Sequence, residues 1–120
     1  MDLPQSQFSH AIDTEIGQRI LSFLQEPISI QVMKTAAYLK VPAADALTPL
    51  LLERFGQDFD QLQALGDQAD QIGFDYLKKT IGYLIRRVME QHGYVLDQTN
   101  VKISPTRQHL FKTAARYKPA

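Results

Sequence analysis

FDYLKKTIGYLIRRVMEQHG, residues 74–93, followed by YVLDQTNVKI, residues 94–103, decides the fold. Phe74, Leu77, Ile81, Leu84, Ile85 and Val88 recur at three- and four-residue steps, so they share one side of a helical wheel. Gly93 ends that helix. The pattern then changes to Val, Ile, Tyr and Thr with polar breaks, in YVLD, QTN and VKI, which reads as short strands and one hairpin. The last piece, LFKTAARYK at 110–118, fits a strand or a helix, because Leu110, Phe111, Ala114 and Ala115 also keep helical spacing.

Upstream, residues 1–8 read as a loose arm. A helix beginning at Ser9 or Asp13 runs to Glu26, with Ile12, Ile16, Ile20, Phe23 and Leu24 as its apolar stripe and Pro27 as its stop. Ser29 is the expected N-cap of a second helix, Ile30 to about Lys40, which Pro42 closes. A third helix starts at Asp45, or at Thr48 with Pro49 in its first turn, and ends at Gly56, presenting Leu47, Leu50, Leu51 and Phe55 to the core. A short fourth helix covers about 59–65, and GDQADQIG, residues 66–73, connects it to the long one.

The fold class is therefore mainly α: a compact bundle of four or five helices with a small C-terminal β-hairpin, in winged-helix-like order. The chain reads as one domain over 1–120, with the arm at 1–8, helices over 9–92 and a basic hairpin over 93–118. Its core is expected from Ile16, Ile20, Phe23, Leu39, Leu51, Phe55, Leu77, Ile81, Leu84 and Val88.

Composition narrows the function. The 120 residues are 44% hydrophobic and 22% charged, which is globular, and there is no cysteine, which removes disulfides, thiolate catalysis and thiolate metal sites. No apolar run nears the roughly 20 residues of a membrane span. The N-terminus MDLPQSQFSH lacks the order of a signal peptide, so a cytoplasmic protein with no membrane partner is expected.

The net charge of zero conceals a division. Residues 1–77 hold four bases against eleven acids, a net of −7; residues 78–120 hold nine bases against two acids, a net of +7. Such a split points the C-terminal part toward a polyanion or an acidic protein, unless the two parts neutralise each other within the fold or between two copies.

Enzyme chemistry has no signature. His10, His92 and His109 are far apart, the carboxylate pairs Asp58/Asp60 and Asp67/Asp70 sit where caps and solvated charges sit, and no nucleophile elbow, phosphate loop, dinucleotide fingerprint or His-Glu-x-x-His is present. The chain reads as a non-enzyme without metal or cofactor.

TAAYLKVPAADALTPLL, residues 35–51, resembles the helix-turn-helix pattern of transcription regulators, with Ala36, Leu39, Val41, Pro42 and Leu47 in the pattern's small and aliphatic positions. The would-be reading helix, 43–55, departs from it. That helix carries Asp45, Glu53, one Arg54 and the interrupting Pro49, where phosphate and base contacts want Arg, Lys, Asn or Gln. A structural role fits this segment better.

The stronger constellation is the polar face of helix 74–92. Lys79, Tyr83 and Arg86 stand at i, i+4 and i+7, with Arg87 beside them. Arg and Lys neutralise phosphate, and Tyr hydrogen-bonds phosphate or stacks on a base. Lys102, Arg107, Lys112 and Arg116 extend the basic character into the hairpin. Two functions stay open: binding of DNA or RNA through these eight residues, or a protein-interaction or self-association module, with a two-fold homodimer or an acidic protein partner. On the first, four to six phosphate contacts give a salt slope of about −4 to −5. Arg86 and Arg87 then account for about one to two units of that slope, and Tyr83 for roughly 1–3 kcal/mol of single-strand binding.

Overall fold

The computed structural model describes residues 15–64, 74–103, 111 and 113–120, with the backbone alone at 59, 61–64 and 74–77. Helices take up more than half of the chain: α1 (Glu15–Leu24), α2 (Pro27–Leu39), α3 (Ala43–Ala64) and α4 (Phe74–Gln91) precede the strands β1 (Tyr94–Lys102) and β2 (Thr113–Pro119). The mainly α architecture with a C-terminal hairpin stands as the sequence implies. The arm at 1–8 and the start of the first helix lie outside the described residues.

Three helix boundaries are corrected. Pro27 opens α2 instead of merely stopping α1, because its fixed φ and missing N–H suit a first helical turn. Ser29 is consequently not a cap: it is buried inside α2, and its Oγ has no hydrogen-bond partner among the described residues. Gly56 does not end the third helix, which continues to Ala64 and absorbs the expected short fourth one. A terminating glycine adopts positive φ, and Gly93 does so at +83° whereas Gly56 does not.

Pro49 falls inside α3, not in its first turn. There it removes a backbone donor and crowds the carbonyl one turn back, and its exposed ring gains no packing in return. Pro49→Ala is therefore expected to stabilise the protein by about 1–2 kcal/mol, since part of the interior-proline cost of ~3 kcal/mol is offset by the freer unfolded chain. For a chain of 120 residues each kcal/mol appears in a thermal melt as a rise of about 4 °C.

The centre of the core is an aromatic pair. Phe23 of α1 and Phe55 of α3 meet edge to face, with centroids 5.5 Å apart. Arg19 lies over the Phe55 ring at 5.3 Å and bridges Asp58 at 3.2 Å; Arg54 lies over the Phe23 ring at 5.2 Å and bridges Glu26 at 2.8 Å. Around this pair Ile20, Leu51, Ile81, Leu84 and Val88 are buried as expected, Ile16 is half-buried, and the side chain of Leu77 lies outside the described residues.

Leu39 is the exception, at 61% exposed. α2 turns Ser29, Met33, Ala36 and Ala37 inward, and its small residues let the backbone approach its neighbours. Lys40 follows in the left-handed region at φ 61°, its N–H donating to the carbonyls of Ala36 and Ala37. Val41 N–H donates to the Ala36 carbonyl at 3.0 Å, which closes the helix. Val41 is also exposed, at 37%. The helix-turn-helix resemblance thus keeps Ala36 and Leu47 inside but loses Leu39 and Val41.

The hairpin is a two-stranded antiparallel sheet in which Leu96 faces Tyr117 and Lys102 faces Thr113. Within the piece at 110–118, residues 113–118 are strand, settled by pairing with a distant strand and not by local spacing, while Phe111 is outside it. Two register shifts interrupt β1, and Asn100 takes positive φ (56°) at the second, a conformation that asparagine tolerates. Ala120 N–H donates to the Gly93 carbonyl at 2.9 Å, tying the end of β2 to the end of α4.

Candidate nucleic-acid interface

Ile81, Leu84, Ile85, Val88 and Met89 anchor α4 in the core. The opposite side of the wheel is thereby fixed outward. Lys79, Arg86, Arg87 and Glu90 are exposed there, and Tyr83 is half-buried in their midst, packed against the core. Arg86 Nε reaches Glu90 at 3.5 Å, an exposed pair one turn apart. Lys79 and Arg87 have no ion-pair partner among the described residues. Eight residues of helix separate these two cations by about 12 Å along the axis.

The hairpin contributes less than the sequence implies. Arg116 is partly buried and its Nη2 reaches Asp97 on the neighbouring strand at 3.5 Å, so its charge is met inside the sheet. Lys102 is exposed and stands opposite Thr113 in the ladder. Arg107 and Lys112 lie outside the described residues. The structure therefore gathers Lys79, Tyr83, Arg86 and Arg87 on one face and tethers Arg116.

The acidic half also meets its own charges, because Arg19 and Arg54 pair with Asp58 and Glu26 of the same half. Arg54's hydrogen bonds hold the Glu26 carboxyl below the usual carboxylate range; partial burial opposes the effect and the Arg54 charge adds to it. That contribution to stability is present above the carboxyl's unfolded pKa and disappears as the pH falls through the lowered folded one.

Tyr117, which the sequence reading did not place in the core, is 4% exposed near Arg86 and Glu90. Its i, i+2 relation to half-buried Ala115 on one strand was the available signal. Burial pushes its phenol up to about 12, with the Arg86 charge pulling it down and the Glu90 charge pushing it up. The unfolded chain ionises this tyrosine near pH 10, two units earlier, so it gains stability relative to the native state as pH rises from about 10 to 12. One of the five tyrosines should titrate near pH 12 by absorbance at the phenolate band, and the melting temperature should fall across the same window.

Among the described residues no three His, Asp or Glu side chains gather as a metal ion would need, and no helix is long and apolar enough to cross a membrane. Comparison of the chain with protein-family models, with curated proteins and with solved structures finds no match.

Proposed function

We propose that this chain is a small non-enzymatic protein that binds nucleic acid through the outer face of α4. The observation that carries the reading is the set of exposed cations Lys79, Arg86 and Arg87 around Tyr83 on one rigid helix. A positive helix face backed by a core places cations at fixed spacing along a phosphate backbone, and Tyr83 adds a hydrogen-bonding or stacking group between them. The hairpin after the helix follows the order of a winged helix, which is an analogy of arrangement only.

With Arg116 tied to Asp97, the exposed α4 cations Lys79, Arg86 and Arg87 give about three phosphate contacts to one strand. Anisotropy titrations against mixed-sequence single-stranded and duplex DNA and RNA should give a log–log salt slope of about −3. That is a loss of about sixty-fold in affinity between 50 and 200 mM salt. Absence of binding to all of them at 50 mM would overturn the reading.

One observation favours a second reading, a protein-interaction surface. Ile28 is 53%, Tyr38 83% and Leu39 61% exposed on α2, and Ile28, Val32, Thr35 and Leu39 follow the four-three-four spacing of a helix-contacting seam. Should that seam pair two copies of the chain, light scattering at tens of micromolar protein gives twice the monomer mass, and Leu39→Glu returns it to 13.6 kDa.

A further inference from the structure

α4 and β2 do not close against each other along their length. Between them lies a cleft of about 410 Å³, within the range of roughly 300–1,000 Å³ found for small-molecule sites. Its lining is apolar at Ile85 on the helix and at Ala115 on the strand, whose side chain shares a face with buried Tyr117, and Lys78 and Lys79 stand beside it. Among the described lining residues none is acidic.

Gly82 sits in the middle of α4 and opens on this cleft. Its backbone is helical, without positive φ, and a Cβ placed on it would meet no atom within 4 Å. Neither conformation nor close approach therefore calls for glycine. A glycine in a helix interior costs about 0.5–1 kcal/mol relative to alanine, and what its missing side chain leaves behind here is open volume.

From the cleft's volume, its apolar lining and the cation at its rim, we infer that it binds a small amphipathic anion: an apolar body laid on Ile85 and Ala115, and one carboxylate-type head held at Lys79, beside Lys78. The cleft adjoins the proposed nucleic-acid face and shares Lys79 with it, while Arg87 lies about 140° round the helix from Gly82.

Calorimetric titration of the full chain with decanoate, below the concentration at which the ligand self-associates, tests the inference. Saturable binding is expected at one site, and uncharged decanol should bind at least about five-fold more weakly. Gly82→Leu adds volume to the cleft at a position whose Cβ meets no atom within 4 Å, and leucine is the better helix former, so it should melt no lower than the parent and lose more than about ten-fold in decanoate affinity. Ala115→Leu, from the strand side, should lose decanoate affinity likewise, and Lys79→Gln should weaken decanoate but not decanol. No saturable decanoate binding, equal affinity for decanol, or full affinity in both leucine variants would each overturn the inference. The two leucine variants leave Lys79, Arg86 and Arg87 in place and Lys79→Gln is expected to weaken both decanoate and nucleic acid, so the leucine variants read a failure here independently of a failure to bind nucleic acid.

Discussion

Truncating Phe55 to alanine is expected to cost about 3–5 kcal/mol, the range for a large aromatic removed from a packed core. The ring is 2% exposed, and it contacts Phe23 edge to face at 5.5 Å while carrying the Arg19 guanidinium at 5.3 Å. Alanine leaves a void between α1 and α3, and it strips Arg19 of its stacking surface while leaving the ion pair to Asp58. Domains of this size are stable by only about 5–15 kcal/mol, so the variant should be near its unfolding threshold at 37 °C. Leu52→Ala supplies the contrast. At 40% exposed on the same helix, it should cost no more than about 1 kcal/mol. Urea denaturation reads both as shifts in midpoint at unchanged slope. A Phe55→Ala loss below 1 kcal/mol would mean that the aromatic pair is not the centre of the core.

The second large effect concerns binding. The double variant Lys79→Ala/Arg87→Ala removes the two cations that have no ion-pair partner among the described residues, and should flatten the salt slope by about two units. At 50 mM salt that corresponds to a loss of affinity on the order of a hundredfold. Stability should stay within about 0.5 kcal/mol, because both side chains are exposed. Arg86→Ala is the informative comparison. Glu90 already accompanies Arg86 at 3.5 Å, so its replacement should change the slope by less than one unit. Equal effects from Arg86 and Arg87 would show that the Glu90 contact opens on binding.

The fold was legible where one physical signal acted alone. In α4 the apolar stripe and the polar face are cleanly separated, and Ile81, Leu84, Ile85 and Val88 are buried as their spacing requires. α2 was harder because apolar residues surround it. Spacing does not say whether Leu39 or Ala37 faces inward, and the close approach that Ala36 and Ala37 permit decided it. Gly56 and Pro49 read as punctuation in isolation, yet tertiary contacts along α3 override both. The strand at 113–119 depends on a partner that lies about twenty residues upstream, so local spacing left helix and strand level.

The candidate site divides in the same way. That Lys79, Tyr83, Arg86 and Arg87 share a face follows from helical periodicity, and the Arg86–Glu90 pair is the i, i+4 relation. The Arg116–Asp97 pair is not local: it depends on the register of the hairpin and on the irregularity beside Gln98, neither of which the sequence spells out. Tyr117 was missed for the same reason, since its burial is set by how the sheet lies on the helices.

Titrating ¹⁵N-labelled protein with a mixed-sequence oligonucleotide at 50 mM salt tests the central claim most directly. The largest amide shifts should fall on residues 79–87, centred on Lys79, Tyr83, Arg86 and Arg87, while Ile28, Tyr38 and Leu39 on α2 stay in place. No shifts at saturating oligonucleotide, or shifts confined to α2, would contradict it.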